Sequence, residues 1–446
     1  MIKTATLPKK LNRLEPSGIA LFKAIFEFWQ TPLEFTADCV RQDYDLVCLK
    51  LGSAQNYIIN EPKLIEEILT KQNQSCIKDI SYRILEHLLG NGLLLSHGDT
   101  WKYHRRLMQS AFNRGRFSNY GTSVVTHTTE AMNHWQAGEI RDIHREMSLL
   151  TVGIILETMF GVAVNTSAIA GALNQIMLRY ARQAELFFLI PDWLPTPLNL
   201  RANRGVNKLE EIIADIVRQR QEQTDDDLLS ILLAAKDEAG TSLSAKDLRD
   251  EVMTLLIAGH DTTANALTFT LMLLAQHPEI EAKVVAEIES VIGDRSPQYE
   301  DIPHLPYTEM VLKESLRLYP PAWIVGRELT QDCTINGETL PRGTVLYFSQ
   351  WAVHRNKAFF PNPEQFNPHR WQGNLEQDLP RCAYFPFGAG ARVCIGKAFS
   401  MMEAVLILAT ILPKFRFTPT SNKPVELLPS ITLRPKHGLD MKITQR

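Results

Sequence analysis

One cysteine stands out by its surroundings. The stretch FPFGAGARVCIG, residues 385–396, places Cys394 on a loop rich in glycine and alanine, two residues after Arg392. A thiol in such a loop could act as a nucleophile, as a redox thiol or as a metal ligand. A nucleophile needs a histidine base, whose position the sequence does not give. A redox thiol usually needs a resolving cysteine, and the nearest one, Cys382, is not in CxxC spacing.

A metal-ligand role needs no second cysteine. A lone thiolate suits the axial position of haem iron, because the macrocycle supplies the other donors. Gly388, Gly390 and Gly396 permit tight turns and close approach to a flat partner. The apolar, helix-like segment after Lys397 would direct its positive dipole end toward the sulfur, and Arg392 could bind a carboxylate such as a haem propionate. A buried structural cysteine remains the alternative for this loop alone.

A second stretch, LLIAGHDTTANAL (residues 255–267), combines small residues with an acid and a hydroxyl. Ala258 and Gly259 remove side-chain bulk where a flat cofactor could lie. The Thr262 hydroxyl can donate to the carbonyl oxygen of Ala258 and open the helix locally. Asp261 adds an acid to an otherwise apolar run. The alternative is a buried helix whose polar residues are satisfied by their neighbours.

Composition narrows the class of protein that must position these residues. The chain has 446 residues, a net charge of -3, 45% hydrophobic and 22% charged residues. This balance predicts a globular protein with no nucleic-acid partner. Six dispersed cysteines without a CxxC pair are typical of reduced cytosolic thiols. The apolar run GIALFKAIFEFW (residues 18–29) is too short and too charged to span a bilayer, so we expect no transmembrane anchor and a soluble, cytoplasmic protein.

The periodicity of hydrophobic residues predicts a mainly α fold with a small β part (α+β), in a single domain over residues 1–446. Strand-like runs occur at residues 47–60 and 333–348, where Asn336–Gly337 is a hairpin signal. The clearest predicted helices are Asn119–Trp135, Met147–Phe160, Arg201–Gln223, Ser244–Gln276, Pro278–Ile292 and Tyr307–Tyr319.

The cysteine loop resembles the haem-binding signature of the cytochrome P450 family, Phe-x-x-Gly-x-Arg-x-Cys-x-Gly. Its fixed positions are matched by Phe387, Gly390, Arg392, Cys394 and Gly396. The AGHDTT stretch resembles the oxygen-activation motif Ala-Gly-x-Asp-Thr-Thr of the same family. The resemblance implies the cytochrome P450 fold, with haem between a long central helix and the cysteine loop, and heme b ligated by Cys394.

A further resemblance lies in KESLRLYPP. Glu314 and Arg317 match the family's Glu-x-x-Arg motif, whose third partner is an arginine matched by Arg370 in FNPHRW. The resemblance implies that these three form a buried charge network with a structural role. Many members carry Glu where this chain has His369, directly before the arginine.

Two more stretches resemble parts of the family that contact the haem propionates. Trp101 and Arg105 in GDTWKYHRR look like the family's Trp-x-x-x-Arg motif. Arg327 in VGRE stands where many members place another propionate-binding arginine. Both assignments are implied by the resemblance.

The resemblance implies a monooxygenase that inserts one atom of O2 into a C–H bond. Thr262 would hydrogen-bond dioxygen or an adjacent water, and Asp261 would relay protons. We find no flavin, nicotinamide or iron–sulfur fingerprint, so electrons are expected from a separate ferredoxin or flavodoxin with its reductase. Candidate contacts for that donor are Lys102, Arg106 and Lys397.

Three apolar segments would flank the open haem face: residues 80–95, 184–195 and 321–325. They predict a hydrophobic substrate, with a fatty acid preferred and a terpenoid as the alternative. A peroxide-using or isomerising haem-thiolate enzyme, or a non-enzymatic haem sensor or lipid-binding protein, would have little need of Asp261 and Thr262. The sequence therefore disfavours these classes.

Overall fold

The computed structural model describes residues 11–162, 166–185, 193–220, 227–235 and 242–446. The helices in these ranges are α1 (Gly18–Gln30), α2 (Pro32–Arg41), α3 (Pro62–Thr70), α4 (Ile80–Arg83), α5 (Glu86–Leu89), α6 (Gly98–Gln109), α7 (Phe117–Met132), α8 (Ile143–Phe160), α9 (Thr166–Glu185), α10 (Pro197–Arg220), α11 (Leu228–Ala234), α12 (Ala245–Gln276), α13 (Pro278–Ile292), α14 (Pro306–Leu318), α15 (Gln350–Val353), α16 (Leu375–Asp378) and α17 (Lys397–Ile411). The strands are β1 (Arg13–Leu14), β2 (Leu46–Leu51), β3 (Ala54–Ile59), β4 (Cys76–Ile77), β5 (Ile140–Asp142), β6 (Val325–Leu329), β7 (Cys333–Ile335), β8 (Glu338–Leu340), β9 (Val345–Phe348), β10 (Phe415–Pro419), β11 (Leu427–Pro429), β12 (Leu433–Pro435) and β13 (Asp440–Gln445). Helix predominates, and the prediction of a mainly α fold with a small β part is confirmed.

The described chain divides into two compact units, each built from three segments. The first comprises residues up to 84 with 322–365 and 373–394, and the second comprises 85–321, 366–372 and 395–446. The single domain expected for residues 1–446 stays a prediction.

A six-stranded sheet organises the first unit, in the order β1-β2-β3-β9-β6-β4. Its core includes Ile65 and Ile68 of α3 with Leu346 and Phe348 of β9, all fully buried. The hairpin β7–β8 turns at Asn336–Gly337, whose φ angles are 49° and 81°. Positive φ at both central residues is what a tight hairpin turn requires, which explains the predictive value of the Asn-Gly pair.

The long helix α12 lies at the centre of the second unit, where α8, α10, α14 and α17 pack against it. Its start is set by a capping box: the Ser244 hydroxyl accepts from the Asp247 N–H at 3.1 Å, and Asp247 Oδ2 accepts from the Ser244 N–H at 3.2 Å. The unit also contains the three-stranded sheet β10-β13-β5 and the hairpin β11–β12. No helix of the described ranges is long and apolar enough to cross a membrane.

Helix α8 shows where the sequence-based bounds were wrong. Periodicity predicts a start at Met147, whereas α8 begins at Ile143. Asp142 is the cause, because its Oδ1 accepts hydrogen bonds from the N–H groups of His144 and Arg145 and so caps the helix four residues earlier. The predicted end of α10 at residue 223 lies outside the described residues.

Candidate active site

The cysteine loop, which belongs to the first unit up to Cys394, holds that residue in an exposed position. The Cys394 N–H donates to the carbonyl oxygen of Phe387 at 2.9 Å, which closes the loop. Gly388 and Gly390 have φ angles of 71° and 67°, which side chains rarely adopt. A Cβ atom on Gly390 would lie 2.0 Å from the carbonyl oxygen of Leu69, so only glycine fits there.

Burial separates this cysteine from the other five, all of which are buried. Burial raises the pKa of Cys76 to about 11 and the pKa values of Cys39, Cys48 and Cys382 to about 12. Those thiols therefore stay protonated at neutral pH. Cys394 differs from the other five cysteines in being exposed, and its role as a metal ligand stays a prediction.

A cluster of cations lies in the same unit. Lys78 sits close to both Arg327 and Arg392, and its Nζ is 4.1 Å from the centre of the Tyr82 ring. Burial, together with the charges of the two arginines, holds the pKa of Lys78 well below its usual range. The nearby carboxylate of Asp79 offsets this only in part. A group bearing carboxylates would relieve the repulsion, so the cluster fits haem propionates.

The accessible part of α12 coincides with the motif found in the sequence. From Glu251 to Leu274 every residue is buried except Ala258, Gly259 and Thr262. The Thr262 hydroxyl donates to the Ala258 carbonyl oxygen at 2.8 Å, the bond anticipated from the sequence. We call these three residues the α12 window. Small side chains and one hydroxyl in an otherwise buried helix suit the face of a flat apolar group such as haem.

Asp261 is buried beside the window and is held by two donors. Its Oδ2 accepts from the Thr432 hydroxyl at 2.5 Å and from Asn265 Nδ2 at 3.2 Å. A cavity of about 320 Å³ in the second unit is lined in part by Asp261, His144 and Arg434. Burial lowers the pKa of His144, which favours the neutral imidazole. Asp261 thus lines a polar cavity while its chain neighbour Thr262 belongs to the window.

The predicted charge network is assembled within the second unit around Glu314, which is fully buried. Arg317 Nη2 and Arg370 Nε donate to its Oε1 at 2.9 and 2.8 Å, and Trp371 Nε1 donates to its Oε2 at 2.8 Å. The Asn367 N–H donates to the same carboxylate at 3.0 Å. All four donors bind the carboxylate of Glu314. Because three of them come from residues 366–372, the network holds that segment against α14.

The remaining predicted residues lie on helix surfaces or in the cysteine loop. Trp101 and Arg105 are one turn apart on α6, and both are partly exposed. Lys102 and Arg106 of the same helix are exposed, and Lys102 pairs with Asp99 at 2.8 Å. Further exposed or partly exposed positions are Phe387, Gly396 and Lys397.

Two sets of predicted residues belong to different units. Arg327, Arg392 and Cys394 lie in the first unit, whereas Asp261 and Thr262 lie in the second. Each set is assembled within its own unit.

Buried ionisable residues are what sequence reasoning missed. His104 Nδ1 lies 2.5 Å from Glu251 Oε1, and both side chains are almost inaccessible. Burial alone would lower the pKa of His104, but the Glu251 carboxylate raises it. Burial also raises the pKa of Glu403 to about 8, and Thr263 is its hydrogen-bonding neighbour. Of these three residues, only Glu403 could have been noticed in the sequence, because it is a single acid in the apolar run AFSMMEAVLILATIL.

The segments expected to flank the substrate are described in part. Residues 186–192 of the segment 184–195 lie outside the described residues. In the segment 80–95, Leu88 and Leu89 are core residues. Arg83 Nη2 donates to Glu328 Oε2 at 2.5 Å, so its charge is already paired.

Comparison with known proteins identifies the family. The sequence matches the family described as Cytochrome P450 over residues 15–442. The chain belongs to the cytochrome P450 family. It is an oxidoreductase of the monooxygenase class, as the cysteine loop and α12 motif predicted.

Relatives of this P450 include bacterial and animal enzymes. Cyclooctat-9-en-7-ol 5-monooxygenase of Streptomyces melanosporofaciens is 35% identical over 91% of this chain and 89% of its own length. Pentalenene oxygenase of Streptomyces avermitilis is 31% identical over 97% of both chains. Leukotriene-B4 omega-hydroxylase 3 of Mus musculus is 32% identical over 85% of this chain and 78% of its own length.

Proposed function

We propose that this P450 binds heme b through the thiolate of Cys394 and uses O2 to hydroxylate a C–H bond of a hydrophobic substrate. The observation that carries the proposal is the α12 window, because its accessible small residues and the Thr262 hydroxyl adjoin a buried acid, Asp261. Haem with a thiolate ligand supplies the activation of dioxygen. The protein residues bind that group, exclude water and deliver protons.

Residues of the first unit would hold the cofactor at its iron and its propionates. Cys394 presents an exposed thiol on a loop whose conformation requires Gly388 and Gly390. Lys78, Arg327 and Arg392 form the cation cluster suited to carboxylates. Trp101 and Arg105 of α6, both partly exposed, are further propionate contacts that we propose from the family resemblance.

The residues beside α12 would handle protons. The polar cavity lined by Asp261 and His144 gives water access to the carboxylate of Asp261. That carboxylate can pass a proton toward Thr262, whose hydroxyl already donates to Ala258 and so presents its lone pairs to a further donor. This route provides the two protons that reduction of one oxygen atom to water consumes.

Asp261 and Thr262 also argue against the other classes of haem-thiolate protein. A peroxygenase, an isomerase or a haem sensor does not need protons delivered during dioxygen reduction. The buried position of Asp261, with Thr432 and Asn265 as partners, is a cost in stability that such proteins could avoid.

Electrons would come from a separate ferredoxin or flavodoxin with its reductase. Exposed cations on α6 and at the start of α17 are the contacts that we propose, namely Lys102, Arg106 and Lys397. An acidic donor recognised by these charges should reduce the enzyme faster at low ionic strength. A cytoplasmic location is part of the same proposal.

Two substrate classes have support. The bacterial relatives carry the names cyclooctat-9-en-7-ol 5-monooxygenase and pentalenene oxygenase, and these names favour a terpenoid as the substrate of this chain. The mouse relative is named for ω-hydroxylation of leukotriene B4, and this favours a fatty acid, the class preferred from the sequence. In the segment 80–95, the Arg83 guanidinium already donates to Glu328, which makes it less available to a fatty-acid carboxylate. We therefore propose a terpenoid or a fatty acid as the substrate.

The test is turnover under ¹⁸O₂ with purified enzyme, a ferredoxin and a ferredoxin reductase. Cyclic terpenes and fatty acids of graded chain length are the two panels. We expect one ¹⁸O atom per product molecule in one of the panels. Product formed only with hydrogen peroxide in place of the electron donors would contradict the proposal and favour a peroxygenase. Preferred turnover of one panel decides between the two substrate classes.

A further inference from the structure

The polar cavity beside α12 extends from the protein surface to a buried acid. It has a volume of about 320 Å³ and lies within the second unit, between α8, α9, α12 and β12. Arg145, Ser167 and Asn174 line it and are exposed, whereas Asp261 and Arg434 line it with exposed fractions of 5% and 3%. The lining therefore leads from solvent to the carboxylate that we assign to proton delivery.

The charges of the cavity suit water better than a bound ion. Arg145 and Arg434 are balanced by Asp142 and Asp261, so the lining has no excess charge that would hold an anion or a cation. A water molecule occupies about 30 Å³ in the liquid, and the volume accommodates on the order of ten of them. Water in this space gives protons a path to Asp261.

His144, at the start of α8, is placed to feed this path. It lines the cavity and is partly exposed. Burial lowers the pKa of His144, the Asp261 carboxylate raises it, and the Arg434 guanidinium lowers it. The imidazole is therefore neutral at rest, and a proton that reaches it is drawn toward Asp261 and repelled by Arg434. The other charged or titratable residues that line the same cavity are Asp142, Arg145 and His260.

A neutral imidazole has the chemistry that a proton relay requires. It can accept a proton on one ring nitrogen and release a proton from the other. Serine and asparagine side chains, which also line the cavity, can hydrogen-bond water but do not take up a proton near neutral pH. His144 is thus able to pass protons inward at the pH at which the enzyme works.

Asn265 links the imidazole to the carboxylate. Its Nδ2 donates to Asp261 Oδ2 at 3.2 Å, and its amide is also a hydrogen-bonding neighbour of His144. The Thr432 hydroxyl fixes the same oxygen of Asp261 at 2.5 Å. Among the described residues, Arg434 Nη2 is buried without a hydrogen-bond acceptor. The Arg434 charge acts on His144 and Asp261 across the cavity, as the pKa directions of His144 and Arg434 indicate.

We propose that His144 takes up protons that enter through this cavity and passes them to Asp261, with Asn265 and Arg434 as positioning residues. Each step moves one proton from the imidazolium to the carboxylate and involves no electrons. Two such steps supply the two protons that reduction of one oxygen atom to water consumes. This inference rests on the oxygenase function proposed above and names the route by which Asp261 receives its protons.

Titration by nuclear magnetic resonance tests the coupling without turnover. The sample is the reduced, carbon monoxide-bound holoenzyme with ¹⁵N-labelled histidine, because this form is diamagnetic, and the His144 signals are those absent from His144→Gln. We expect a His144 pKa below the ordinary value for histidine, raised in Arg434→Met and lowered further in Asp261→Asn. Arg434→Lys keeps the positive charge and should leave this pKa near that of the wild type. The same His144 pKa in all of these variants would overturn the proposal.

Turnover tests the role of the relay in the reaction. With ferredoxin, its reductase and the terpene or fatty acid that the wild type converts fastest, His144→Gln should be ~10-fold or more slower, since positioned proton transfer contributes about 10²–10⁴-fold and water replaces part of it. The ratio of the rates in H2O and D2O should rise, which a purely structural defect would not cause. His134→Gln is the matched control and should behave as the wild type, because His134 is exposed in the same unit and does not line the cavity.

A second pair of variants separates charge from fold. Arg434→Met should also slow turnover, and Arg434→Lys should recover most of the rate. Melting curves and the carbon monoxide spectrum should match the wild type in His144→Gln. The proposed function itself fails if the wild type forms no oxygenated product. The proton route alone fails if the wild type oxygenates its substrate and His144→Gln equals it in both rate and isotope effect.

Discussion

Glu314 offers a sharp test of the buried charge network in the second unit. Its carboxylate accepts hydrogen bonds from Arg317, Arg370, Trp371 and the N–H of Asn367. The change Glu314→Gln keeps the size of the side chain but removes its charge. The two arginines, whose side chains are 0% and 7% exposed, would then lose the negative charge of this carboxylate.

The expected effect follows from that burial. Removing one partner of a buried ion pair costs about 3–5 kcal/mol, because the remaining charge is left uncompensated. The glutamine amide also turns an N–H₂ group toward arginine donors where an acceptor is needed. Since natural domains have unfolding free energies of about 5–15 kcal/mol, we expect a large fraction of the stability to be lost.

Urea unfolding followed by circular dichroism measures the effect, and Glu309→Gln is the control. Glu309 lies on the same helix, α14, and pairs with Lys313 at 2.9 Å, but its side chain is 41% exposed. An exposed pair at this spacing contributes about 0.3–0.5 kcal/mol. Unfolding of both variants at the same urea concentration would refute the reasoning, because the network would then contribute no more than a surface pair.

Three further changes test other parts of the structure. Thr262→Ala should leave haem content unchanged but divert reducing equivalents to hydrogen peroxide, and Thr262→Ser should restore coupling; coupling of the alanine variant at the wild-type level would contradict the role. Because burial raises the pKa of Glu403 from 4.5 to about 8, its stabilising contribution is complete below pH 4.5 and is lost as pH rises to about 8. Glu403→Gln should therefore flatten the fall in unfolding free energy between these pH values, and an unchanged slope in urea titrations would argue against this. Gly390→Ala should destabilise more than Gly388→Ala, since both have positive φ but only the former would press a Cβ atom against Leu69; equal urea midpoints would show that the loop adapts.

Local features were predictable because their causes are local. The predicted helix Ser244–Gln276 corresponds to α12, since Ser244 and Asp247 cap its start and both are visible in the sequence. The β7–β8 hairpin was predictable because Asn336 and Gly337, which form its turn, are adjacent in the sequence and accept positive φ angles. The types and spacing of residues around Cys394 singled it out among six cysteines before its exposure was known.

Contacts between distant parts of the chain were not predictable. Lys78 has no motif of its own, and it joins Arg327 and Arg392 only through the folding of the first unit. His104 and Glu251 lie on α6 and α12, and neither residue marks the other in the sequence. A polar residue that is satisfied by a remote partner leaves no periodic or spacing signal.

The most direct test of the central claim is the absorption spectrum of the purified, reduced protein with carbon monoxide. We predict haem with a strongly red-shifted Soret band in the wild type and in Cys382→Ser, because Cys382 is buried and protonated. The shifted band should be absent in Cys394→Ser. An unshifted Soret band in the wild type, or a shifted band that survives Cys394→Ser, would contradict thiolate ligation by Cys394.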